Sequence, residues 1–418
     1  MRRLIYRTSI IFFTGLFLIV LYLSVIGLET KRFNDQIINK IKHFNQDIEI
    51  ELKEIKLILD PFSLSIKAKT LGSKLKLKEG KVETENIESQ ISLKSILNNN
   101  FSILDLKIST KPLNIKKLIS FIRAINNSTE LIILENFIKK GYLIADLKLE
   151  FDENGNIKNN YNIKGFVKET KLNFLKQHKF EKVNFVFEIN EKGAYFEEIK
   201  LSYNNINLNF QKIFAKKSKD NFIINGEFKN KNLILTEKDI NQFLNLDNFV
   251  VKKIDLNSKN DFFFKVDNKL KFKDFKLNSK TTINELIILT DHQLKSIFPK
   301  IKKEIKFTNH NLQIDYDKKK FEIIGEGNIM LQNFNEKIDY KIFKNDKNLK
   351  FDSSIEVQKN PFLLSFLNFE NQKNNNIKIN FKGKVDEYDN IKIEKIFLND
   401  DLNKIKIDNI IFNKDFEI

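Results

Sequence analysis

Apolar and polar side chains alternate along most of this chain beyond its N-terminal apolar run. The stretch from residue 48 to residue 71, IEIELKEIKLILDPFSLSIKAKTL, shows the alternation almost without a break. Successive side chains of a β-strand point to opposite faces of the sheet, so a period of two predicts strands with one apolar face. Similar runs, such as VNFVFEI and DFFFKVDNKLKFKDFKLNS, continue to the end of the chain. The pattern predicts a mostly β protein with a long, mainly antiparallel sheet.

The alternation in the first stretch changes phase near Lys53 and Glu54. The apolar residues before this point share one phase and those after it share the other: Ile48, Ile50 and Leu52, then Ile55, Leu57 and Leu59. Because a one-residue insertion would otherwise turn the apolar set outward, we predict a β-bulge here. Asp60 and Pro61 then break the strand, and we expect the alternation to resume at Phe62.

Helical spacing interrupts the β pattern in a few places. The clearest is the region 113–141, where LNIKKLISFIRAIN and STELIILENFIKKG predict two helices and Gly141 ends the second. Short helices are also predicted near TEKDINQFLNL, DHQLKSIFPKI and NPFLLSFLNFE. Before the first strand, one helical face carries an apolar stripe made of Phe33, Ile37, Ile41 and Phe44. Such a stripe is typical of either the cap of a neighbouring core or a helix lying at a membrane interface.

The N-terminus carries a membrane signal. No charged residue lies from Ser9 to Leu28, and a run of about 20 apolar residues can cross the hydrocarbon core as a helix. Arg2, Arg3 and Arg7 precede the run. By the positive-inside rule they predict a single-pass bacterial inner-membrane anchor, with the N-terminus cytoplasmic and the bulk of the chain periplasmic. A cleaved signal peptide is the alternative, but typical h-regions have about 7–15 residues and no A-x-A-like site follows this run.

These patterns predict four parts in the chain. Residues 1–30 form the cytoplasmic tip and anchor, 31–112 an N-terminal helix with the first strands, 113–141 the helical insertion, and 142–418 an extended β-groove. The sequence stops at DNIIFNKDFEI, which still alternates. We therefore expect either a C-terminal truncation or an outer-membrane or periplasmic protein partner that continues the sheet at this end.

Composition narrows the classes of function. The hydrophobic share of 41%, with 40 Phe, is too high for a disordered chain, and 12 Gly and 4 Pro leave no low-complexity linker. The net charge of +17 would suit an anionic partner, but the basic residues are spread singly among acidic ones. Since no nucleic-acid-binding module accompanies the charge, we expect no nucleic-acid partner. The chain has no Cys, which excludes disulfides and thiol catalysis.

Candidate chemistry is sparse. The four histidines are His43, His178, His292 and His310, and none lies at metal-ligand spacing from another. The GEG at residues 325–327 lacks the further glycines of a dinucleotide-binding loop, so it indicates a strand irregularity. We predict no catalytic residue, no metal site and no cofactor. An anchored hydrolase is the alternative, and it would require a polar pocket.

The long apolar face can be closed in two ways. In a β-sandwich or barrel, apolar faces meet each other. However, this chain has an anchor at one end, far more consecutive strands than one sandwich needs, and no Pro/Gly/Ser-rich linker. One long, curled sheet with an elongated groove filled by acyl chains accounts for all three features. The candidate lipid-lining residues are those in phase within their runs: Ile48, Ile50, Leu52, Phe62, Leu64, Ile66, Phe185, Phe187, Phe262, Phe264 and Val266.

The chain also resembles a known family. The anchor, the amphipathic segment, DIEIELKEIKLILDPFSLSIKAKTL and IESQISLKSIL, in this order, resemble the N-terminal region of AsmA-like proteins, where a similar strand ends near a Pro. The stretch from LENFIKKGYLIADLKLEF to FEEIKLSYNNINLNF resembles the middle region of the YhdP branch, although Trp is missing and the chain is shorter than that branch. The resemblance covers roughly residues 1–280. It implies a chorein-like, repeating β-groove that extends from the inner membrane through the periplasm, with no catalytic residues.

Together, the pattern and the resemblance predict a function. We expect a membrane-anchored periplasmic protein that passively conducts phospholipids between the inner and outer membranes and supports envelope integrity. Nothing in the sequence supplies energy, so the direction of flow would come from a gradient or from partners. The alternative is an anchored scaffold or assembly factor for outer-membrane biogenesis that carries no lipid.

Overall fold

The structure is a computed structural model of the chain. It describes residues 2–31, 34–35, 38, 48–77, 80–97, 103–125, 129–152, 158, 160–174, 178–242, 250–267, 271–289, 295, 297–318, 320–345, 348–364, 369–371, 376–385, 391–399 and 404–412. About 70% of the described residues lie in strands, nearly all of them in one large antiparallel sheet that is curled only weakly. The prediction of a mostly β, mainly antiparallel protein with an N-terminal apolar helix and a few short helices is confirmed.

The elements follow the alternation of the sequence. The helices are α1 (Arg2–Val25), α2 (Leu93–Leu97), α3 (Ile115–Ile125), α4 (Thr129–Phe137) and α5 (Glu237–Ile240). The strands up to residue 203 are β1 (Leu28–Thr30), β2 (Ile48–Glu51), β3 (Ile55–Asp60), β4 (Ser65–Leu71), β5 (Lys74–Leu77), β6 (Gly80–Ser92), β7 (Ile103–Thr110), β8 (Leu113–Asn114), β9 (Ile138–Glu150), β10 (Asn162–Phe174), β11 (His178–Asn190) and β12 (Gly193–Tyr203). The later strands are β13 (Ile206–Ser218), β14 (Asn221–Thr236), β15 (Val250–Asp267), β16 (Phe272–Leu289), β17 (Glu304–Tyr316), β18 (Lys320–Met330), β19 (Glu336–Asn345), β20 (Asn348–Val357), β21 (Leu363–Leu364), β22 (Phe369–Glu370), β23 (Ile377–Val385), β24 (Ile391–Asn399) and β25 (Lys404–Phe412).

The chain divides into two compact units, Met1–Asn207 and Leu208–Ile418. In the first unit the hydrogen-bonded order is β1, β3, β4, β6, β7, β9, β10, β11 and β12, and each neighbouring pair is antiparallel. A second ribbon, β2–β5, pairs with the start of β6. In the second unit each strand from β13 to β19 pairs with the strand that follows it in sequence. β20 then pairs with β23, β23 with β24, and β24 with β25.

The predicted β-bulge near Lys53 is wrong. Residues 52–54 separate β2 from β3, and the two strands have different partners: β2 pairs with β5, whereas β3 pairs with β1 and β4. The change of phase in the sequence therefore marks a change of partner between two strands. An insertion within one strand would give the same local pattern, so the sequence alone does not distinguish the two.

The helical pair predicted at 113–141 is confirmed as α3 and α4, but the predicted end at Gly141 is wrong, because α4 ends at Phe137 and Gly141 lies within β9. Ile115 and Ile119 of α3 are buried together with Ala145 of β9 and Val167 of β10. This contact is possible because the apolar positions of α3 recur every three or four residues and so form one stripe. The helical pair thus covers part of the apolar sheet face in the first unit.

Several predicted features fall partly or wholly outside the described residues. All four residues of the apolar stripe predicted ahead of the strand at residue 48 lie outside the described set: Phe33, Ile37, Ile41 and Phe44. Of the short helices predicted later in the chain, α5 is confirmed within TEKDINQFLNL. The α1 helix is long and apolar enough to cross a membrane, which agrees with the predicted anchor from Ser9 to Leu28.

Candidate functional site

One face of the sheet in the second unit is apolar along most of its strands. Cross-strand register places Phe262 beside Gly226 of β14 and Leu277 of β16, and this row continues to Tyr316 of β17. Phe351 of β20 lies in the adjoining row of the same face, where it pairs with Ile342. We call this row the open strip: Phe228, Phe262, Phe264, Leu277, Leu312, Ile323, Ile342 and Phe351. All of these side chains are half-buried. The strip runs across the strands in adjoining register rows of one face: Leu277 pairs with Phe262, and Ile342 pairs with Ile323 and Phe351.

Aromatic rings dominate one end of the open strip. Phe262 and Phe264 stack at 5.9 Å between ring centroids, and Phe264 lies 5.3 Å from Phe272, which is largely exposed. Phe210 and Phe228 extend the cluster, with centroids 5.2 Å apart. In the described part of the chain, β14, β15 and β16 have their main contacts with hydrogen-bonded neighbours and α5, so no second layer covers these rings.

The opposite end of the same face is covered by protein. We call this part the covered strip: Ile329, Ile338, Ile355, Val357, Ile377, Ile379 and Leu398. Phe298 and Phe362, 5.7 Å apart, lie on it together with the β21–β22 hairpin. Val357 and Ile377 are 0% exposed as a result. This strip is a closed hydrophobic core.

Polar groups hold the covering segments in place. The Glu336 carboxylate accepts hydrogen bonds from the backbone amides of Gln358, Lys359 and Asn360 at 3.0–3.2 Å. The Gln332 side chain accepts one from the Lys300 amide and donates one to the Pro361 carbonyl. Hydrogen bonds to a buried carboxylate are stronger than neutral ones, so the cover is firmly attached.

Polar residues lie between the two strips, and Leu312 interrupts them because it pairs with Thr281. We call them the polar band: Asn230, Ser258, Asn260, Ser279, Thr281, His310, Tyr340 and Ser353. Asn260 donates to the Ser258 hydroxyl at 2.9 Å, and the hydroxyls of Ser279 and Thr281 lie 2.9 Å apart. Most of these groups bond to one another within the sheet surface. An apolar ligand on the open strip would therefore meet a polar border on this side.

His310 is the most buried member of the polar band, at 1% exposed. Its Nε2 lies 2.9 Å from the Asn328 carbonyl, which can only accept, so Nε2 carries the proton. Its Nδ1 then accepts from the Tyr340 hydroxyl at 3.4 Å. Burial lowers the pKa of His310 and outweighs the effect of the bond to Asn328. The residue is neutral in the folded protein near neutral pH.

The free energy of unfolding should therefore fall as the pH drops below 6.5, the ordinary pKa of His that applies to the unfolded chain. The unfolded chain binds the proton more readily than the folded one, at a cost of at most about 1.4 kcal/mol per pH unit. His310→Gln should remove this slope between about pH 6.5 and pH 5. Urea unfolding of both proteins at several pH values measures it. Carboxylates such as Glu322, whose pKa is lowered from 4.5, titrate below this window, and an unchanged slope in the variant would contradict the assignment.

The other face of this sheet is polar and ion-paired. Glu322 accepts from Lys320 at 2.6 Å and Lys341 at 2.7 Å, and the bond from Lys320 is the main cause of its lowered pKa. Lys253 and Glu285 pair across β15 and β16 at 2.5 Å. Exposed pairs of this kind contribute little stability, typically about 0–1 kcal/mol each. They keep this face solvated and distinguish it from the apolar one.

Strand glycines lie opposite aromatic residues on the apolar face. The directly paired residues are Gly165 with Phe187, Gly226 with Phe262, Gly325 with Tyr340, and Gly383 with Phe351. A Cβ added to Gly226 would lie 2.7 Å from a Phe262 ring carbon and 2.7 Å from the Lys212 carbonyl oxygen. Each ring therefore occupies the space that a glycine leaves free, which buries part of the ring without a second layer.

Gly226→Val should destabilise the second unit by about 1–3 kcal/mol, because the added atoms overlap both Phe262 and the backbone of β13. Urea unfolding would measure the change. Asn225→Ala is the matched control, since Asn225 is exposed on the adjacent position and the other face; it should change stability by less than about 0.5 kcal/mol. Equal stability of Gly226→Val and the wild type would show that the ring does not need the glycine.

The predicted lining residues of the first unit lie in several environments. Phe185 and Phe187 share a cluster with Ile115 and Ile119 of α3, so helices cover that part of the face. Ile50 is buried, Leu52 lies between strands, and Ile66 is half-buried on β4. The side chain of Ile48 lies outside the described set.

The prediction that Phe62 and Leu64 continue a strand is wrong. Both lie in the turn between β3 and β4, and Phe62 is 99% exposed. Phe262, Phe264 and Val266 do share one face of β15. The rest of the open strip was missed, because its membership depends on the register between strands distant in sequence. The polar band left a visible signal, since Ser258 and Asn260 share the phase of Phe262.

Among the described residues, no group of three or more His, Asp or Glu side chains could hold a metal ion. The fold and the apolar face define a class, a β-sheet protein with an N-terminal helix that can span a membrane. No model of a known protein family matches the chain, and neither does any curated protein or solved structure. Membership of the AsmA-like family stays a prediction.

Proposed function

We propose that this chain is a membrane-anchored periplasmic protein that binds acyl chains on the open strip and passively conducts phospholipids between the inner and outer membranes. The observation that carries the proposal is the row of half-buried apolar side chains that no second layer of described residues covers. Exposed apolar surface costs about 25 cal/mol per Å². An acyl chain lying on Phe262 and Phe264 would remove this cost for both partners.

The direction of the open strip suits a ligand that moves along the sheet. Neighbouring strands lie about 4.8 Å apart. Each strand from β14 to β20 carries at least one side chain of the open strip. The polar band borders it on one side, where hydroxyls and amides disfavour acyl carbon. Headgroups would stay in water above the weakly curled sheet. Nothing on this face supplies energy, so movement follows a concentration gradient or a partner.

The predicted anchor supports the proposed location in the cell. Arg2, Arg3 and Arg7 at the start of α1 favour a cytoplasmic N-terminus, which leaves both units in the periplasm of a bacterium. The resemblance to AsmA-like proteins supports the same location and a role in envelope integrity. The inner membrane would then be the source or the acceptor of lipid at the α1 end.

A scaffold for outer-membrane biogenesis is the second candidate. The weak curl of the sheet favours it, since a shallow surface encloses an acyl chain less completely than a deep groove. The covered strip also shows that part of the apolar face serves only as core. The two candidates differ in whether lipid touches the open strip.

Site-specific photo-crosslinking in cells separates them. The photoreactive amino acid p-benzoylphenylalanine would replace Phe264, and in a matched control it would replace the adjacent Phe263, which points to the polar face. We expect lipid adducts from position 264 and few from position 263, as detected by mass spectrometry of the purified chain. Lipids around α1 do not confuse the result, because each adduct reports only its own position. Equal or absent adducts at both positions would favour the scaffold.

A further inference from the structure

The turn between β3 and β4 exposes apolar side chains to an unusual degree. Phe62 is 99% exposed and Leu64 is 64% exposed, and both lie in the four-residue turn that starts at Pro61. Exposed single hydrophobic residues are common, but a fully exposed Phe beside a second apolar residue at a turn tip forms a compact apolar point. This point faces away from the sheet core.

Hydrogen bonds fix the shape of the turn. The Asp60 carboxylate accepts from the backbone amides of Phe62 and Ser63, both at 3.2 Å. The Gln90 side chain donates to the Ser65 hydroxyl at 2.7 Å, and the Ser63 and Ser65 hydroxyls lie 2.6 Å apart. This arrangement is the Asx turn that Asp favours. The tip is therefore held rigidly, and Phe62 is presented outward by the local structure.

A backbone hydrogen bond from the first residue of α2 also holds the turn. The Leu93 amide at the start of this helix donates to the Leu64 carbonyl at 2.9 Å. Leu64 itself adopts a φ of 47°, a left-handed conformation that costs a non-glycine residue about 1–2 kcal/mol. The fold tolerates this cost to keep the chain in the turn while the Leu64 side chain stays exposed.

The turn lies at the end of the sheet that faces α1. The short strand β1 leaves α1 and pairs antiparallel with β3, with Leu28 opposite Leu57 and Thr30 opposite Ile55. Since β1 runs away from α1, β3 runs towards it, and the turn after Asp60 follows on that side. A Cβ on Gly27 would lie 2.5 Å from the Leu57 carbonyl oxygen, so the chain leaving α1 touches β3 directly.

Apolar exposure continues from α1 into this region. Val25, Ile26 and Leu28 are all largely exposed, and they join the end of the helix to the first strand. In a bilayer such residues lie at or below the headgroups, where aromatic and aliphatic side chains partition favourably. The turn therefore lies at the same end of β3 as the end of α1 and the start of β1, and all three expose apolar side chains.

We propose that the Phe62–Leu64 turn inserts into the headgroup–acyl boundary of the membrane leaflet from which α1 emerges. The partner is a phospholipid bilayer surface, and the contact is additional to the spanning helix. The side chains of Phe62 and Leu64 would enter the bilayer to a depth of about 5–10 Å, as other interfacial segments do. A second attachment restricts rotation of the sheet about α1 and fixes how its first strands meet the membrane. The contact does not require lipid conduction along the open strip.

The absence of Trp from the chain allows a direct test. Phe62→Trp introduces a single Trp at the tip, which can be excited separately from the 9 Tyr of the chain. Phe334→Trp, at a half-exposed turn residue of the second unit, is the matched control. Each full-length variant is placed in nanodiscs of phosphatidylethanolamine and phosphatidylglycerol whose acyl chains are either brominated or not. We expect blue-shifted emission from the Phe62→Trp variant. Brominated lipid should quench at least about half of the intensity of this emission. The emission at position 334 should be nearly unchanged.

Two outcomes would overturn the inference. Emission at position 62 typical of water and insensitive to bromine would place the turn outside the bilayer. Equal quenching at both positions would show that proximity to lipid is not specific to the turn. Circular dichroism of both variants confirms that the sheet is intact. The result is independent of the crosslinking at Phe264, so either proposal can fail without the other.

Discussion

Phe264→Asp should reduce lipid contact on the open strip about tenfold and leave the sheet folded. The ring is half-buried, and its main neighbours are the rings of Phe262 and Phe272. A carboxylate there stays hydrated, so the loss of ring contacts should lower the free energy of unfolding by only about 1–2 kcal/mol. For an acyl chain the same charge is a barrier, and a tenfold loss of occupancy needs only about 1.4 kcal/mol.

Lipid adducts from p-benzoylphenylalanine at Leu277 measure this occupancy, because Leu277 lies opposite Phe262 on the next strand. We expect about a tenfold decrease in adducts from the Phe264→Asp chain. Phe263→Asp is the control, since it adds the same charge on the polar face and should change the yield little. Unfolding of the Phe264→Asp chain at the lowest urea concentrations would mean that the ring belongs to a dry core, which would contradict the proposal.

Val357→Asp should have the opposite outcome. This side chain is 0% exposed beneath the segments that carry Phe298 and Phe362. A carboxylate at this fully buried site would lose its hydration, so the cost should exceed about 4 kcal/mol. Since a domain is stable by only about 5–15 kcal/mol, the second unit should unfold wholly or lose its covered strip.

Hydrogen exchange followed by mass spectrometry would locate the damage. We expect fast exchange in β20, β23 and β24 of the Val357→Asp chain, and protection close to wild type in the same strands of the Phe264→Asp chain. Val357→Ala is a milder control that removes two methyl groups and adds no charge. If Val357→Asp were as stable as Phe264→Asp, the cover over this strip would not be a closed core.

Local sequence signals predicted the elements of the fold. Strict alternation identified the strands, Asp60 and Pro61 marked the end of β3, and helical spacing placed α3 and α4. These signals depend on residues close in sequence, where period and breaking residues act directly on the backbone. The separation of β2 from β3 was misread because a change of partner is a long-range event.

The candidate site was predictable only in fragments. Phe262, Phe264 and Val266 share a phase within one strand, and this was enough to place them on one face. The partners of these residues on other strands, such as Leu312 and Ile342, follow from register, which alternation alone does not determine. Whether a second layer covers an apolar residue is also a tertiary property. Phe185 and Phe264 have similar local sequences. Residues of α3 pack in the same cluster as Phe185, whereas the ring neighbours of Phe264 belong to the sheet itself.

The glycine–aromatic pairs bear on how so long a sheet assembles. With alternation as the only guide, a strand can shift by two residues against its neighbour and still bury its apolar side chains. A ring that fits over Gly226 but collides with any larger residue penalises such a shift. The pairs at Gly165, Gly226, Gly325 and Gly383 recur in different hairpins. The pairs therefore favour the native register over a shifted one, and a chain that lost them would be more prone to misaligned hairpins that aggregate.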